Sequence, residues 1–260
     1  MWHYPEIDPV LISIGPVSIH WYAMSYLVGI SLVWWSLGHR ARAQSLPWND
    51  EQISDLIFYG VLGVILGGRM GYMFFYGWQS LAADPLSLFR VWEGGMSFHG
   101  GLLGVLVAVY LYGRQQGRGF IAVTDYIAPS VPIALGCGRI GNFINGELPG
   151  RVTEAPWAAI YPGEVIGRHP SSLYQAVSEG LVLFVVLWLF SRRPRPPFAV
   201  SGMFLIAYGG LRFLTEFFRE PDRHLMFIAF DWMTMGQLLS MPMVLLGVGF
   251  LFYSYQRETV

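Results

Sequence analysis

The sequence predicts an all-α polytopic membrane protein, and three observations carry that expectation. Hydrophobic residues make up 54% of the 260 positions and charged residues 13%, against about 25% charged in an ordinary soluble domain. Several apolar runs approach the roughly 20 residues that a helix needs to cross about 30 Å of hydrocarbon. Basic residues gather in alternate linkers, the pattern of the positive-inside rule.

The expected spans follow from these runs. The first covers residues 17–37 and is followed by His39, Arg40 and Arg42, which marks that end as cytoplasmic and the N-terminus as outside. Residues 1–9 lack the basic start and small-residue cleavage site of a secretory signal, so the first span is expected to stay as an anchor. A second span, residues 53–76, carries Gly60, Gly63, Gly67, Gly68 and Gly71, small residues that let helices approach closely. Arg69 lies among them, either paired for packing or part of a site. Residues 77–95 read as an amphipathic outer loop on the membrane surface.

Span three starts near Met96 and ends before Arg114 and Arg118; span four runs from about Ile121 outward. Residues 145–170 form a small external, periplasmic cap. Span five, residues 171–190, ends at SRRPRPP, the strongest cytoplasmic signal in the chain. Span six, residues 198–218, returns outward, and span seven, residues 236–255, ends with Arg257 inside. The expectation is seven spans in one integral domain, with an outer N-terminus and a cytoplasmic C-terminus.

Composition also excludes chemistry. All sixteen basic residues are Arg. Without Lys there is no P-loop lysine, no pyridoxal Schiff base and no lysine nucleophile. What remains are planar, permanently charged forks suited to phosphate or carboxylate. The formal net charge of −1 and the scattered cations offer nothing to a nucleic acid. Cys137, the single cysteine, has no disulfide partner, no Cys/His spacing resembles a metal site, and neither GxSxG nor HExxH is present. No cofactor is called for.

The stretch GCGRIGNFINGELPGR, residues 136–151, places Arg139, Asn142, Asn145 and Glu147 where an apolar span meets polar chain. So many hydrogen-bonding groups at that depth must meet one another or a ligand, here read as an anionic lipid head group. In span six, Tyr208, Arg212 and Glu216 recur at i, i+4 and i+8 with Arg219 three residues on, so they share a helical face. An intrahelical Arg212/Glu216 pair would neutralise itself; three ionisable groups and a Tyr on one apolar helix favour a site.

EGGMSFHGG sets His99 in the first turn of span three, as a structural residue or a general base. In GRHPSSLY, Pro170 and Ser171 suit a helix start. IHWYAMSY places His20, Trp21 and Tyr22 in an aromatic belt, with Tyr22 also a candidate ligand. Cys137, between glycines in an apolar span, reads as a small packing residue.

Four of these motifs, HGG at His99, GRIGNFINGE at residues 138–147, RHPSSLY at Arg168 and YGGLRFLTEFFREPD at Tyr208, occur in the order that resembles bacterial prolipoprotein diacylglyceryl transferase, and the likeness extends over nearly the whole chain. The resemblance implies transfer of the diacylglyceryl group of phosphatidylglycerol to the lipobox cysteine of a prolipoprotein signal peptide. A thioether forms and glycerol phosphate leaves. It implies a multi-pass protein of the bacterial inner membrane with its site on the periplasmic side. On this reading His99, Arg139 and Arg212 are catalytic, and Arg139, Asn142, Glu147, Gly150, Tyr208, Glu216 and Tyr22 bind or orient substrate. The rival from another class is a transporter or flippase for an anionic lipid, which should show two related halves; no such symmetry is visible in the sequence.

Overall fold

A computed structural model describes residues 1–15, 17–221 and 227–257. It departs from the sequence reading at the N-terminus. After a short strand Trp2–His3 (β1), Val10–Ile14 (β2) and Val17–His20 (β3) form an antiparallel hairpin. Helix α1 therefore starts at Trp21, not near residue 17, and runs to Ala43. The physical reason is the spacing of Val10, Ile12 and Ile14, and of Val17 and Ile19: β-branched residues at every second position favour a strand. Gly15 reverses the chain with φ of 60°, a left-handed conformation that glycine accepts without steric cost.

Residues 37–124 form one compact unit. Helix α2 (Asp50–Phe75) opens with a reciprocal capping box between Asn49 and Gln52. The short helix α3 (Trp78–Ala83) follows, then two 3-10 turns, Pro85–Phe89 and Val91–Glu93. Helix α4 (Phe98–Gln115) returns alongside α2. Glycines set the distance between those two helices. A Cβ on Gly63 would stand 2.6 Å from the Gly104 carbonyl oxygen, and one on Gly71 would meet the Gly100 Cα at 2.8 Å. Close backbone approach of this kind is how helices associate without a hydrophobic driving force between them.

Arg69 is buried in the same unit and holds the loop. Its Nε donates to the Leu88 carbonyl at 3.1 Å, one terminal nitrogen to Ser87 at 2.5 Å, and the other to Gly94. The packing reading of Arg69 is thus the one the structure supports.

The second unit comprises residues 1–36 and 125–260. Expected span four is a bent pair, α5 (Phe120–Ile127) and α6 (Val131–Ile144), with 54° between them. Pro129 and Pro132 sit at the break and remove backbone donors. Helix α7 (Ser171–Gln175) passes into a π-helical turn, Ala176–Val182, and on into α8 (Leu183–Phe190). The Ser171 hydroxyl does not cap α7; it donates to the Leu148 carbonyl at 2.7 Å and ties the 146–150 loop to the helix.

Helix α9 (Ala199–Thr215) is capped from a distance: the Asp125 carboxylate accepts from the backbone nitrogens of Phe198 and Ser201 at 2.8 and 2.7 Å. A negative group at a helix N-terminus is favourable. The helix ends sooner than expected, because the chain turns after Glu216 so that Arg219 can bridge Gly150 with Pro221 just ahead. Asp222, the last residue of the fourth motif, lies outside the described residues. Helix α10 (Met235–Gln256) packs on α9, with Gly202 against Gly247 and Gly209 against Ser240.

Among the described residues, three helical segments are long and apolar enough to cross a membrane, Asp50–Phe75, Ser171–Phe190 and Met235–Gln256, and four if α5 and α6 count as one span. Large apolar side chains stand exposed along them, including Phe58, Leu181, Leu245 and Phe252. That much bare hydrocarbon suits lipid contact.

Residues 145–170, expected as a cap of their own, recruit the N-terminus. Ala159–Ile160 (β4) pairs in parallel with β1. Tyr4 stacks on Tyr161 with ring centroids 5.0 Å apart and donates to the last carbonyls of α6, Phe143 at 2.5 Å and Ile144 at 2.9 Å. Among the described residues, four short strands thus modify the all-α expectation. At the edge of this layer, Nδ1 of His169 meets the Tyr174 hydroxyl at 3.1 Å, and burial lowers the imidazole pKa.

The glycine seam gives a direct test. Gly104→Leu is expected to destabilise the protein by about 1–3 kcal/mol or more, as overpacking does, and to lower the melting temperature in detergent. Gly60→Ala, on the facing helix α2 but pointing into open space, should leave it unchanged. Equal melting of both variants would disprove the seam.

Candidate functional site

The site is built around an acid. Glu179 is fully buried, with a side-chain exposure of 0%. Its Oε2 accepts from Arg139 at 3.3 Å, and its Oε1 from Arg212 and from the Thr215 hydroxyl, each at 3.3 Å. A lone buried carboxylate is prohibitively costly, and pairing with hydrogen-bonded cations makes it tolerable. Here one carboxylate joins two guanidinium groups that lie 73 positions apart in sequence, on α6 and α9.

Local backbone makes this possible. Gly136 of α6 and Gly180 of the π turn touch: a Cβ on Gly180 would sit 2.7 Å from the Gly136 Cα. That contact brings Glu179 beside Arg139, three residues past Gly136. The π turn itself is a rare element that adds a residue to a helical turn and is often found at functional sites.

Glu216 supplies a second acid. It forms ion pairs with Arg212 at 2.8 Å and with Arg219 at 3.5 Å. A Cβ on Gly236 would stand 2.8 Å from its carboxyl carbon, so Glu216 also meets the first turn of α10, where the helix dipole favours an anion. The four-residue face read from sequence is real in its Arg212/Glu216/Arg219 pairing, but the intrahelical pair is half of a larger network. Tyr208, stacked on Phe204 with centroids 5.6 Å apart, lies within the electrostatic reach of Glu179, Arg212 and Arg139.

Arg139 uses one of the five N–H donors of its guanidinium on Glu179. Arg212 divides its terminal nitrogens between Glu179 and Glu216. Among the described residues, the Arg139 fork is thus held at one prong and open at the others.

At the C-terminal end of α6, Asn142 and the capping Asn145 both donate to Glu147, at 2.8 and 3.2 Å. Tyr22 sits on the facing wall: its hydroxyl bonds that of Tyr26 at 2.9 Å, and its ring lies where a Cβ on Gly141 would meet it at 3.0 Å. Tyr22 feels the charges of both Glu147 and Arg139. Cys137 packs on Gly29 of α1, as a small contact residue should. Gly150 is buried between two strands of backbone, and a Cβ there would be 2.5 Å from the carbonyl oxygens of His169 and Phe218; what it contributes is a close crossing that only glycine permits.

His99 belongs to the other compact unit, exposed in the first turn of α4. The Ser97 side chain caps that helix by accepting from the Gly100 nitrogen at 3.2 Å. Among the described residues no group of three or more His, Cys, Asp or Glu side chains could hold a metal ion.

Sequence reasoning passed over Glu179. A signal was available: it is the single acidic residue in the otherwise apolar Ser171–Phe190 segment, and an ionisable group inside such a span is by default a candidate for function.

The family profile described as prolipoprotein diacylglyceryl transferase matches residues 9–253. A phosphatidylglycerol–prolipoprotein diacylglyceryl transferase of Chromohalobacter salexigens is 57% identical over 258 residues, covering 99% of this chain and 96% of the relative. Proteins of the same name from Ectopseudomonas mendocina, 52% identical over 100% of this chain and 98% of theirs, and from Coxiella burnetii, 51% identical over 99% of each, are similar to it throughout. With the profile spanning all but the extreme ends and more than half of the residues shared along its length, this chain belongs to the prolipoprotein diacylglyceryl transferase family.

Proposed function

We propose that this membrane protein transfers the diacylglyceryl group of phosphatidylglycerol to the thiol of a prolipoprotein lipobox cysteine, the first step of lipoprotein maturation. The observation that carries the reading, beside membership of the family, is the pair of arginines gathered on Glu179. The reaction is a substitution at an sp³ carbon. The thiolate sulfur of the substrate attacks the glyceryl carbon that bears the phosphate, a C–S bond forms, the C–O bond breaks, and the electron pair leaves on glycerol phosphate. A soft sulfur nucleophile suits such a carbon, and no acyl oxyanion has to be stabilised.

Two demands fall on the protein. Charge grows on the departing phosphate oxygen, and fixed guanidinium donors in a dry site stabilise it without reorganisation. Arg139 and Arg212 fill this role, with Glu179 and Glu216 setting their positions. The thiol, with an ordinary pKa near 8.5, must also lose its proton. His99 is assigned that proton on its chemistry and exposure, and the cationic field of the arginines favours the thiolate. Asn142, Glu147, Tyr208 and Tyr22 orient head group or peptide, while Gly150 serves through the backbone path it allows. The protein is placed in the inner membrane with seven spans, an outer N-terminus, a cytoplasmic C-terminus and the site towards the periplasm; alternation of basic linkers supports that orientation. Nothing in the described structure favours the transporter reading.

Purified protein incubated with phosphatidylglycerol and a lipobox peptide should add one diacylglyceryl unit to the peptide cysteine, read by mass spectrometry. Arg139→Ala should abolish transfer, and Arg139→Lys should retain little because the planar fork is lost. Glu179→Ala, which leaves two cations facing each other, should lower kcat by about 10²–10³-fold, the scale of losing one preorganised electrostatic partner. Near-normal turnover of the Ala variants would remove the phosphate-clamp assignment.

The base assignment has its own measurement. His99→Gln should depress turnover most at low pH, where the thiol alone is least ionised, and least towards pH 9. A variant with wild-type rates from pH 6 to 9 would leave ionisation to the arginine field.

A further inference from the structure

Beside the Asn145–Glu147 corner lies a cavity of about 430 Å³ that the transfer chemistry does not use. It is lined by Tyr4, Glu6, Ile7, Asn145, Tyr161 and Glu164 among others, and its walls come from the N-terminal segment, the end of α6 and the 159–164 loop. Two of these lining residues each carry a polar atom that is buried behind the cavity surface and has no partner among the described residues: the Tyr161 hydroxyl and Asn145 Oδ1. Tyr161 is 6% exposed.

The identity of the Asn145 atom follows from its neighbour. A carboxylate only accepts, so the amide nitrogen must face Glu147, to which it donates at 3.2 Å. The oxygen is therefore the orphan. Burial pushes the Tyr161 phenol up to about 12, which keeps it a protonated donor at any working pH. An unmet donor and an unmet acceptor on two residues that line one cavity are costly unless the side chains turn to a partner that satisfies both.

A peptide unit offers that complement, one N–H and one C=O. An anionic lipid head group does not suit the cavity, because its charged lining residues are two carboxylates, Glu6 and Glu164. We propose that this cavity is a subsite for the polypeptide substrate, in which the chain flanking the acceptor cysteine places a backbone N–H on Asn145 Oδ1 and a backbone C=O on the Tyr161 hydroxyl. Recognition through backbone tolerates differing side chains, while the stacked Tyr4 and Tyr161 rings supply an apolar wall. Asn145 and Asn142 share Glu147, so the subsite adjoins the corner to which head-group orientation is assigned. The proposal rests on the transferase reading for the identity of the polypeptide.

Tyr161→Phe removes the hydroxyl without changing shape. Since that hydroxyl is unpaired in the free protein, the melting temperature should stay level or rise. With the other substrate saturating, the KM for a lipobox peptide should rise about five- to tenfold, the scale of one hydrogen bond, while kcat and the KM for phosphatidylglycerol stay within about twofold. A photoreactive benzoylphenylalanine at position 7 should cross-link the same peptide. An unchanged peptide KM, a raised KM for the lipid instead, or a cross-link to photoreactive phosphatidylglycerol alone would overturn the subsite. An inactive wild type would fail the transferase reading separately, and the cross-link, which reads binding alone, would still decide the subsite.

Discussion

The carboxylate of Glu179 is the interaction on which the site depends. Two guanidinium groups brought into a poorly hydrated interior repel each other, and each carries a desolvation cost. One fully buried anion that touches both converts that repulsion into a shared geometry. The arrangement requires α6, the π turn and α9 to stand at fixed separations. Gly136 and Gly180 provide the first of these by letting backbones touch, and Thr215 adds a third donor that fixes the carboxylate from α9. Glu216 then anchors Arg212 from the other side, so the cationic centre is held by two acids of different helical origin.

Much of this was legible in the sequence because membranes restrict what sequences can do. Arg139 and Arg212 stood out as cations in apolar runs, and the i, i+4, i+8 spacing of Tyr208, Arg212 and Glu216 announced a common face. The structure brings both arginines to one acid. Glu179 belongs to no cluster of polar residues in the sequence: it is a solitary acid whose partners lie on other helices. Long-range pairing has no local signature. The same reason hid the cap's composition: the contact of Trp2–His3 with Ala159–Ile160 joins segments more than 150 residues apart.

Other differences trace to local chemistry that competes with the apolar pattern. The hairpin of residues 10–20 is hydrophobic enough to extend a span, yet its β-branched alternation selects strand. Pro129 and Pro132 break what hydropathy reads as one continuous helix. Glycine content predicted close helix contacts correctly, and Gly63, Gly71, Gly100 and Gly104 are where α2 and α4 meet. Hydropathy also implied more spans than length and apolarity support on their own: α1, α4 and α9 fall short of the standard that Asp50–Phe75, Ser171–Phe190 and Met235–Gln256 meet.

Arg69 illustrates a different use of a buried cation. Its hydrogen bonds end on main-chain oxygens of Ser87, Leu88 and Gly94, groups that every amino acid carries. The guanidinium therefore fixes the route of the 87–94 segment without reading which side chains it bears. The outward residues of such a segment can therefore change without loss of these bonds, while its path is held from a single position in the helix beneath.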